Sequence, residues 1–356
     1  MKRYEFTPDF NNVVQAARNI PAKRLPLYEH LVGGRILTEI LGENPYPKMN
    51  DADFEVRKEG FREYWRFWRT LGYDTASFEC CIGGTLPGSG ALGGHADPVI
   101  KTREDFERYP WDTLADRYFE RFGPQFEALA ATCPEGMKAV GGVGNGVFEC
   151  VQDLVGYIPL CFLREDDPEL YADLFKRMGE LHAQIWTRFM REYSDVYCVL
   201  RFGDDMGFNS STLLSADDIR EHILPQYRRV TDIVHSYGKP FLLHSCGNLF
   251  GVFDDIIDIA KIDAKHSNED IIAHFSIWAQ RYGDRIGNFG GIDTDVLCRN
   301  TPEFIREYVR DSIERCEGHG GIAFGSGNSI PDYVPTEGYL AMIEAVRDLR
   351  GDKAIR

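Results

Sequence analysis

His244 and Cys246 stand two residues apart in the segment Pro240-Phe-Leu-Leu-His-Ser-Cys-Gly247. On a strand, residues two apart project to the same side, so both side chains can reach one metal ion, and a mixed nitrogen and sulfur donor pair suits borderline-soft Zn2+. Two ligands are too few, because a catalytic zinc site usually takes three from the protein. The third has to come from another strand. Candidates are Glu269 or His266 at the end of the next strand, and Asn328 at the end of the last. The bland alternative is a hydrogen-bonded core histidine beside a packed thiol. The position between a strand-like Phe-Leu-Leu and a glycine favours ligation.

A second constellation is Arg201-Phe-Gly-Asp204-Asp205-Met-Gly. An arginine and two adjacent acids at a strand end can bind a polar substrate or exchange protons, since crowded carboxylates raise one another's pKa. A solvated loop with a local ion pair is the plainer reading. Residues 83–94, GGTLPGSGALGG, lack the Gly-Lys-Ser/Thr ending of a phosphate loop and read as a mobile connection over a site. The aromatics of Tyr64-Trp65-Arg66-Phe67-Trp68 recur at helical spacing and are expected in the core.

These residues need elements to present them. Eight short apolar or β-branched runs can be marked, at 25–30, 75–80, 138–144, 196–205, 240–247, 262–267, 286–293 and 321–329. Helical patterns separate them. Asp167-Pro168 opens one helix with proline in its first turn, while Ser215-Ala-Asp-Asp and Thr301-Pro302-Glu303 open others with a cap and early acids. Strands alternating with helices imply a parallel sheet, and eight units imply a (β/α)8 barrel. An open doubly wound sheet is disfavoured, because no Gly-x-Gly-x-x-Gly follows the first strands and the polar strand ends do not gather at one switch point. The expected organisation is an N-terminal extension over residues 1–24 and a single barrel domain over 25–356. Strand ends would then share one mouth, ringed by Glu29, His30, Glu79, Arg201, Asp204, Asp205, His244, Cys246, His266, Glu269, Asp293, Ser326 and Asn328.

The whole-chain balance narrows the partners. A formal charge of −16 repels phosphate backbones and anionic lipid, so nucleic acid and membrane are poor partner expectations. The N-terminus carries acids where a signal peptide needs an apolar stretch, which points to a cytoplasmic protein. Nine scattered cysteines suggest reduced thiols, with Cys80 and Cys81 packed on a strand.

Several of these segments together resemble the uroporphyrinogen decarboxylase superfamily. They are Gly203-Asp-Asp-Met-Gly-Phe208, Leu214-Ser-Ala-Asp-Asp-Ile-Arg-Glu-His-Ile-Leu-Pro225, His244-Ser-Cys-Gly-Asn248, Gly290-Gly-Ile-Asp293 and Gly325-Ser-Gly-Asn-Ser-Ile-Pro331. Phe148-Glu149 to Pro168-Glu169 extends the likeness upstream. The resemblance implies a barrel carrying one of two chemistries: cofactor-free decarboxylation of uroporphyrinogen, or zinc-dependent methyl transfer between a corrinoid protein and a thiol. The decarboxylase branch begins with an Arg-Gln-Ala-Gly-Arg segment, where this chain reads Pro26-Leu-Tyr-Glu-His30. The methyltransferase branch uses a His-x-Cys zinc pair, which His244 and Cys246 match. A thiolate near the last strand normally completes that set, and Asn328 stands there instead.

What the resemblance implies is therefore a zinc-dependent methyltransferase with metal on His244, Cys246 and, ranked first for the third corner, Glu269. Asp204, Asp205 and Arg201 would orient the partner substrate with Glu79, and Glu149, His266, Ser326 and Asn328 would line the substrate site. The expected partners are a small-molecule substrate and a protein-borne corrinoid, with a homodimer left open. A tetrapyrrole decarboxylase and a non-catalytic corrinoid- or tetrapyrrole-binding protein are the alternatives.

Overall fold

Seven of the expected strands form one parallel sheet in strict sequence order. In the computed structural model, which describes residues 2–355, they are β2 (Thr75–Cys81), β3 (Lys138–Gly144), β4 (Tyr197–Gly203), β5 (Phe241–His244), β6 (Ala264–His266), β7 (Gly287–Ile292) and β8 (Ile322–Ser326). A separate antiparallel ladder joins β1 (Arg3–Tyr4) to β9 (Ala354–Ile355). Glu79, Arg201, His244, His266 and Ser326 fall within the last three residues of their strands, and Asp204, Asp205, Cys246, Glu269, Asp293 and Asn328 follow in the connections at the C-terminal edge.

The run Leu25–His30 differs from its expectation. Leu27 makes only an isolated parallel bridge to Phe324 of β8, with Tyr28 N donating to Phe324 O at 3.0 Å and Phe324 N to Pro26 O at 2.8 Å. On its other side, the hydroxyl of Ser77 in β2 donates to the Glu29 carbonyl. The segment thus bridges the two edges of a curled sheet without joining a full ladder. Pro26 contributes to this, because it has no N–H to donate. The architecture is TIM-like, with seven regular strands.

The helices start where their caps indicate. Asp53 accepts from Glu55 N at 2.8 Å ahead of the helix Phe54–Leu71, and Asp167 from Leu170 N at 2.9 Å ahead of Pro168–Tyr193. Thr301 caps Pro302–Arg315 through Phe304 N at 3.3 Å. Each bond satisfies one of the amides that a helix start leaves without a partner. Tyr64, Trp65, Phe67 and Trp68 are buried in the layer between sheet and helices, as their spacing predicts. Among the described residues, no helix is long and apolar enough to cross a membrane, and the nine cysteines are free thiols.

A smaller apolar cluster fills the sheet's concave side near the strand starts. Val140, Val199, Leu242, Ala264, Phe289 and Ala323 meet Val13, Ala16 and Ala17 of the helix Asn11–Ala17 there. That helix can seat because Gly287 and Gly321 have no side chains. A Cβ at either would lie 2.2 Å from the Ala16 carbonyl oxygen. The apolar cluster closes the sheet's interior at this end.

Candidate functional site

The register of the sheet decides which mouth residues meet. In the β4–β5 pair Gly203 lies opposite His244, so the residue two beyond Gly203 lands beside the residue two beyond His244. Asp205 Oδ1 accordingly accepts the Cys246 amide at 2.8 Å and lies 3.8 Å from His244 Nε2. Cys246 Sγ stands 3.5 Å from His244 Nε2. The three donor atoms of Asp205, His244 and Cys246 fall within 4.8 Å of one another, the span of a shared ion.

Glu269 was the expected third corner, and it stands beside the pair without joining the closest group. Its Oε1 accepts the Gly247 amide at 3.3 Å, and the carboxylate grouped with His244 and Cys246 is that of Asp205. The signal for Asp205 was present in the expected strand order. β4 neighbours β5 as closely as β6 does, so the third ligand could be sought on either side.

A second grouping, His30, His244 and His266, is also close enough to hold an ion. His30 stacks on His244 with ring centroids 3.9 Å apart and planes 9° from parallel. Imidazole lone pairs lie in the ring plane, so those of two stacked rings lie in nearly parallel, separate planes and do not meet at one point in the site. His244 Nδ1 is also engaged by His266 Nδ1 at 2.7 Å, while His266 Nε2 lies 3.1 Å from the Ser326 carbonyl. Burial lowers the pKa of His30 and His244 far below the usual imidazole value and that of His266 to about 3, so all three rings are neutral.

Around Cys246, Asn328 Nδ2 donates to Sγ at 3.3 Å and Ser267 Oγ at 3.6 Å. Burial, with the Asp205 charge adding to it, pushes the Cys246 thiol up, so it keeps its proton at neutral pH. Asn328 is thus a hydrogen-bond donor to sulfur at the place where the resemblance puts a thiolate.

The other expected residues are held in place by their surroundings. Arg201 is 0% exposed. Its Nε and Nη2 donate to Glu79 Oε2 at 3.1 and 2.7 Å, and its Nη1 to Tyr28 Oη at 2.6 Å and the His30 carbonyl at 3.4 Å. Neither Arg201 nor Glu79 therefore presents a free charge to the mouth. Asp204 accepts the amides of Phe148 at 2.9 Å and Glu149 at 2.7 Å, closing the start of the helix Val147–Val155, and accepts the Tyr227 hydroxyl as well. Burial raises its pKa to about 7 against these donors. Glu149 takes the Asp205 amide at 3.3 Å and Asn145 Nδ2 at 2.9 Å, and burial with the charges of Asp204 and Asp205 raises it strongly. Tyr28 and Tyr227, which complete these two knots, carried no local signal in the sequence. Residues 83–94 do not hang free: Asp153 Oδ1 accepts Gly90 N at 2.8 Å and Leu92 N at 3.3 Å.

Beside the Asp205, His244 and Cys246 group opens a cavity of about 660 Å³, lined in part by Glu269, Asp270, Asp293, Asp295, Asn328 and Tyr333. Its lining carries four carboxylates and no Lys, Arg or His. Such a mouth repels polyanions.

The family model described as Uroporphyrinogen decarboxylase (URO-D) matches residues 69–349. No curated protein sequence matches the chain. Among solved structures, a methyltransferase from Methanosarcina mazei is similar with a TM-score of 0.75 at 16% identity, over 97% of this chain and 99% of that one. A putative vitamin-B12 independent methionine synthase from Listeria monocytogenes is similar with a TM-score of 0.48 at 12% identity, over 92% of this chain and 98% of that one. At these identities the likeness is one of fold.

Proposed function

The chain belongs to the uroporphyrinogen decarboxylase family, and from that premise we propose that it is a zinc-dependent methyltransferase using a protein-borne corrinoid and a thiol or similar acceptor. On this reading the Leu25–His30 run counts as the eighth unit of a (β/α)8 barrel. The observation that carries the proposal is the convergence of Asp205 Oδ1, His244 Nε2 and Cys246 Sγ at the mouth.

These donors fit the metal. One nitrogen, one sulfur and one oxygen atom are an ordinary zinc set, and three protein ligands leave a position open for an acceptor. Zinc held there would supply Lewis-acid chemistry, keeping a bound thiol as thiolate. The chain's own residues do the rest. Asn328 and Ser267 donate to the sulfur of Cys246 and would stabilise negative charge on it. Asp205 ties the β4 and β5 connections together through the Cys246 amide. Asp204 and Tyr227 hold the helix Val147–Val155, and with it Glu149, against the site.

The electrostatics of the mouth support methyl transfer over tetrapyrrole decarboxylation. A polycarboxylate needs cationic groups to receive it, and the Arg201 guanidinium is spent on Glu79 and Tyr28 while the adjoining cavity is acidic. A docking partner is supported by Phe208, Ile271 and Tyr333, which are 63%, 75% and 72% exposed on the connections after β4, β6 and β8.

Metal analysis tests the proposal directly. Wild-type protein should carry stoichiometric zinc, Cys246→Ala and Asp205→Ala should each bind it at least about tenfold more weakly, and Glu269→Gln should lose less. Binding should also weaken as pH falls, because protons compete with the metal for Cys246 and His244. Equal, substoichiometric zinc in wild type and both alanine variants would sink the idea.

A further inference from the structure

Every polar atom of one residue at the end of β8, Ser326, is engaged, and the partners lead to both members of the His-x-Cys pair. Its carbonyl faces His266 Nε2 at 3.1 Å, its amide donates to Glu29 Oε1 at 3.0 Å, and its hydroxyl lies 2.7 Å from the Asn328 carbonyl and in close contact with Glu29 Oε2. Asn328 in turn donates to Cys246, and His266 meets His244.

Donor and acceptor logic fixes the protons along this chain. A carbonyl only accepts, so His266 carries its proton on Nε2, and an imidazole with a single N–H has a bare Nδ1. A bare Nδ1 must accept, so across the 2.7 Å contact His244 donates from its own Nδ1. With its single ring proton on Nδ1, His244 keeps a lone pair on Nε2, the nitrogen that faces Cys246 Sγ at 3.5 Å and Asp205 Oδ1 at 3.8 Å. The His30 ring stacked at 3.9 Å fixes the plane of the same imidazole.

A similar argument applies to Glu29. The Ser326 hydroxyl has one proton, and the Asn328 carbonyl can only accept it. The contact with Glu29 Oε2 is then donated by a protonated Glu29, consistent with burial raising that carboxyl to about 8.

We infer that Glu29, Ser326 and His266 form a buried relay that holds His244 as the Nδ1–H tautomer with Nε2 free for a ligand, making His266 and Glu29 positioning residues of this site. The inference rests on the metal reading for its purpose, yet the tautomer exists without metal. A metal-ligating imidazole generally donates its other N–H to a partner that sets tautomer and orientation, and loss of that partner costs about 10- to 100-fold in metal affinity. Here the partner is a second histidine.

The test is long-range proton–nitrogen correlation NMR of the metal-free protein, followed by titration with Co2+. Wild-type His244 should show a protonated Nδ1 and a bare Nε2. His266→Asn, whose side-chain oxygen can accept in place of Nδ1, should keep that state, and His266→Phe should populate the other tautomer and bind Co2+ roughly 10- to 100-fold more weakly. A protonated Nε2 on wild-type His244 overturns the inference, as does a tautomer population unchanged in His266→Phe. The wild-type spectrum decides even if the Phe variant does not fold. A wild type that shows the Nδ1–H tautomer but takes up no Co2+ supports the relay and overturns the metal reading alone.

Discussion

The two edges of the curled sheet are finished by opposite chemistry. At the strand starts, Val13, Ala16 and Ala17 press onto Val140, Val199, Leu242, Ala264, Phe289 and Ala323, with neither carboxylate nor histidine in the cluster. At the strand ends, Glu29, Arg201, Asp204, His266 and Ser326 are as deeply buried as those apolar residues, and His30 and His244 are buried as well. The floor is held by area removed from water, which is insensitive to geometry at the level of tenths of an ångström. The mouth is held by partners, and burying a polar group costs several kcal/mol unless each bond is made. One edge can therefore vary in detail, while the other specifies atoms.

The sharpest way to break this contrast is Arg201→Met. It leaves Glu79, which is buried beside it, without a counter-charge, and removing one member of a buried ion pair costs about 3–5 kcal/mol. Urea unfolding should show a loss of that size, with part of it recovered in the double variant Arg201→Met, Glu79→Gln. A loss below about 1 kcal/mol would mean that the knot is solvated and that the mouth does not depend on it.

What the sequence made legible follows the same division. Strand and helix order could be read because it rests on local periodicity and on caps such as Asp167, Ser215 and Thr301, which act on amides three residues away. The polar ring was visible for a related reason, since residues just past an apolar run lie at the strand ends. Partners within the ring were not visible. Arg201 finds Glu79 across 122 positions of chain, and Asp205 reaches the Cys246 amide across 41. Such contacts depend on lateral register, which no local pattern encodes. The Leu25–His30 run could not be distinguished from a regular strand, because its β character is the same and only its hydrogen bonding differs.

A second prediction separates the edges by pH. Glu29 has its pKa raised to about 8 from an unfolded value near 4.5, so the folded state holds a proton that the unfolded state has released. Its contribution to stability is full below about pH 4.5 and is lost as pH rises toward 8, at about 1.4 kcal/mol per pH unit. Other buried groups act in the reverse sense. His266, lowered to about 3, loses stability as pH falls below its unfolded value, and Lys265, lowered to about 7, gains stability as pH rises above that. Those terms are common to wild type and Glu29→Gln, so they cancel in the difference. Measured by urea unfolding between pH 6 and 8, Glu29→Gln should gain on wild type by roughly 2–3 kcal/mol. Parallel curves would mean that Glu29 is ionised in the folded protein and cannot donate to Ser326.

The smallest effect belongs to the floor, where it should stay. Val13→Ala removes apolar carbon from a fully buried side chain and leaves a small void against Val199 and its neighbours. At about 0.8 kcal/mol per buried methylene-sized group plus a cavity contribution, the loss should be roughly 1–3 kcal/mol. The floor cluster contains no member of the Ser326 relay or of the Asp205, His244 and Cys246 group, so zinc content and the His244 tautomer should match wild type under conditions where the variant is folded. The pH dependence of unfolding should also keep its slope, because no carboxylate or histidine is lost. A Val13→Ala protein that remains folded yet loses metal or changes tautomer would show that the floor transmits strain along the strands, and the two edges would then have to be treated as one coupled core.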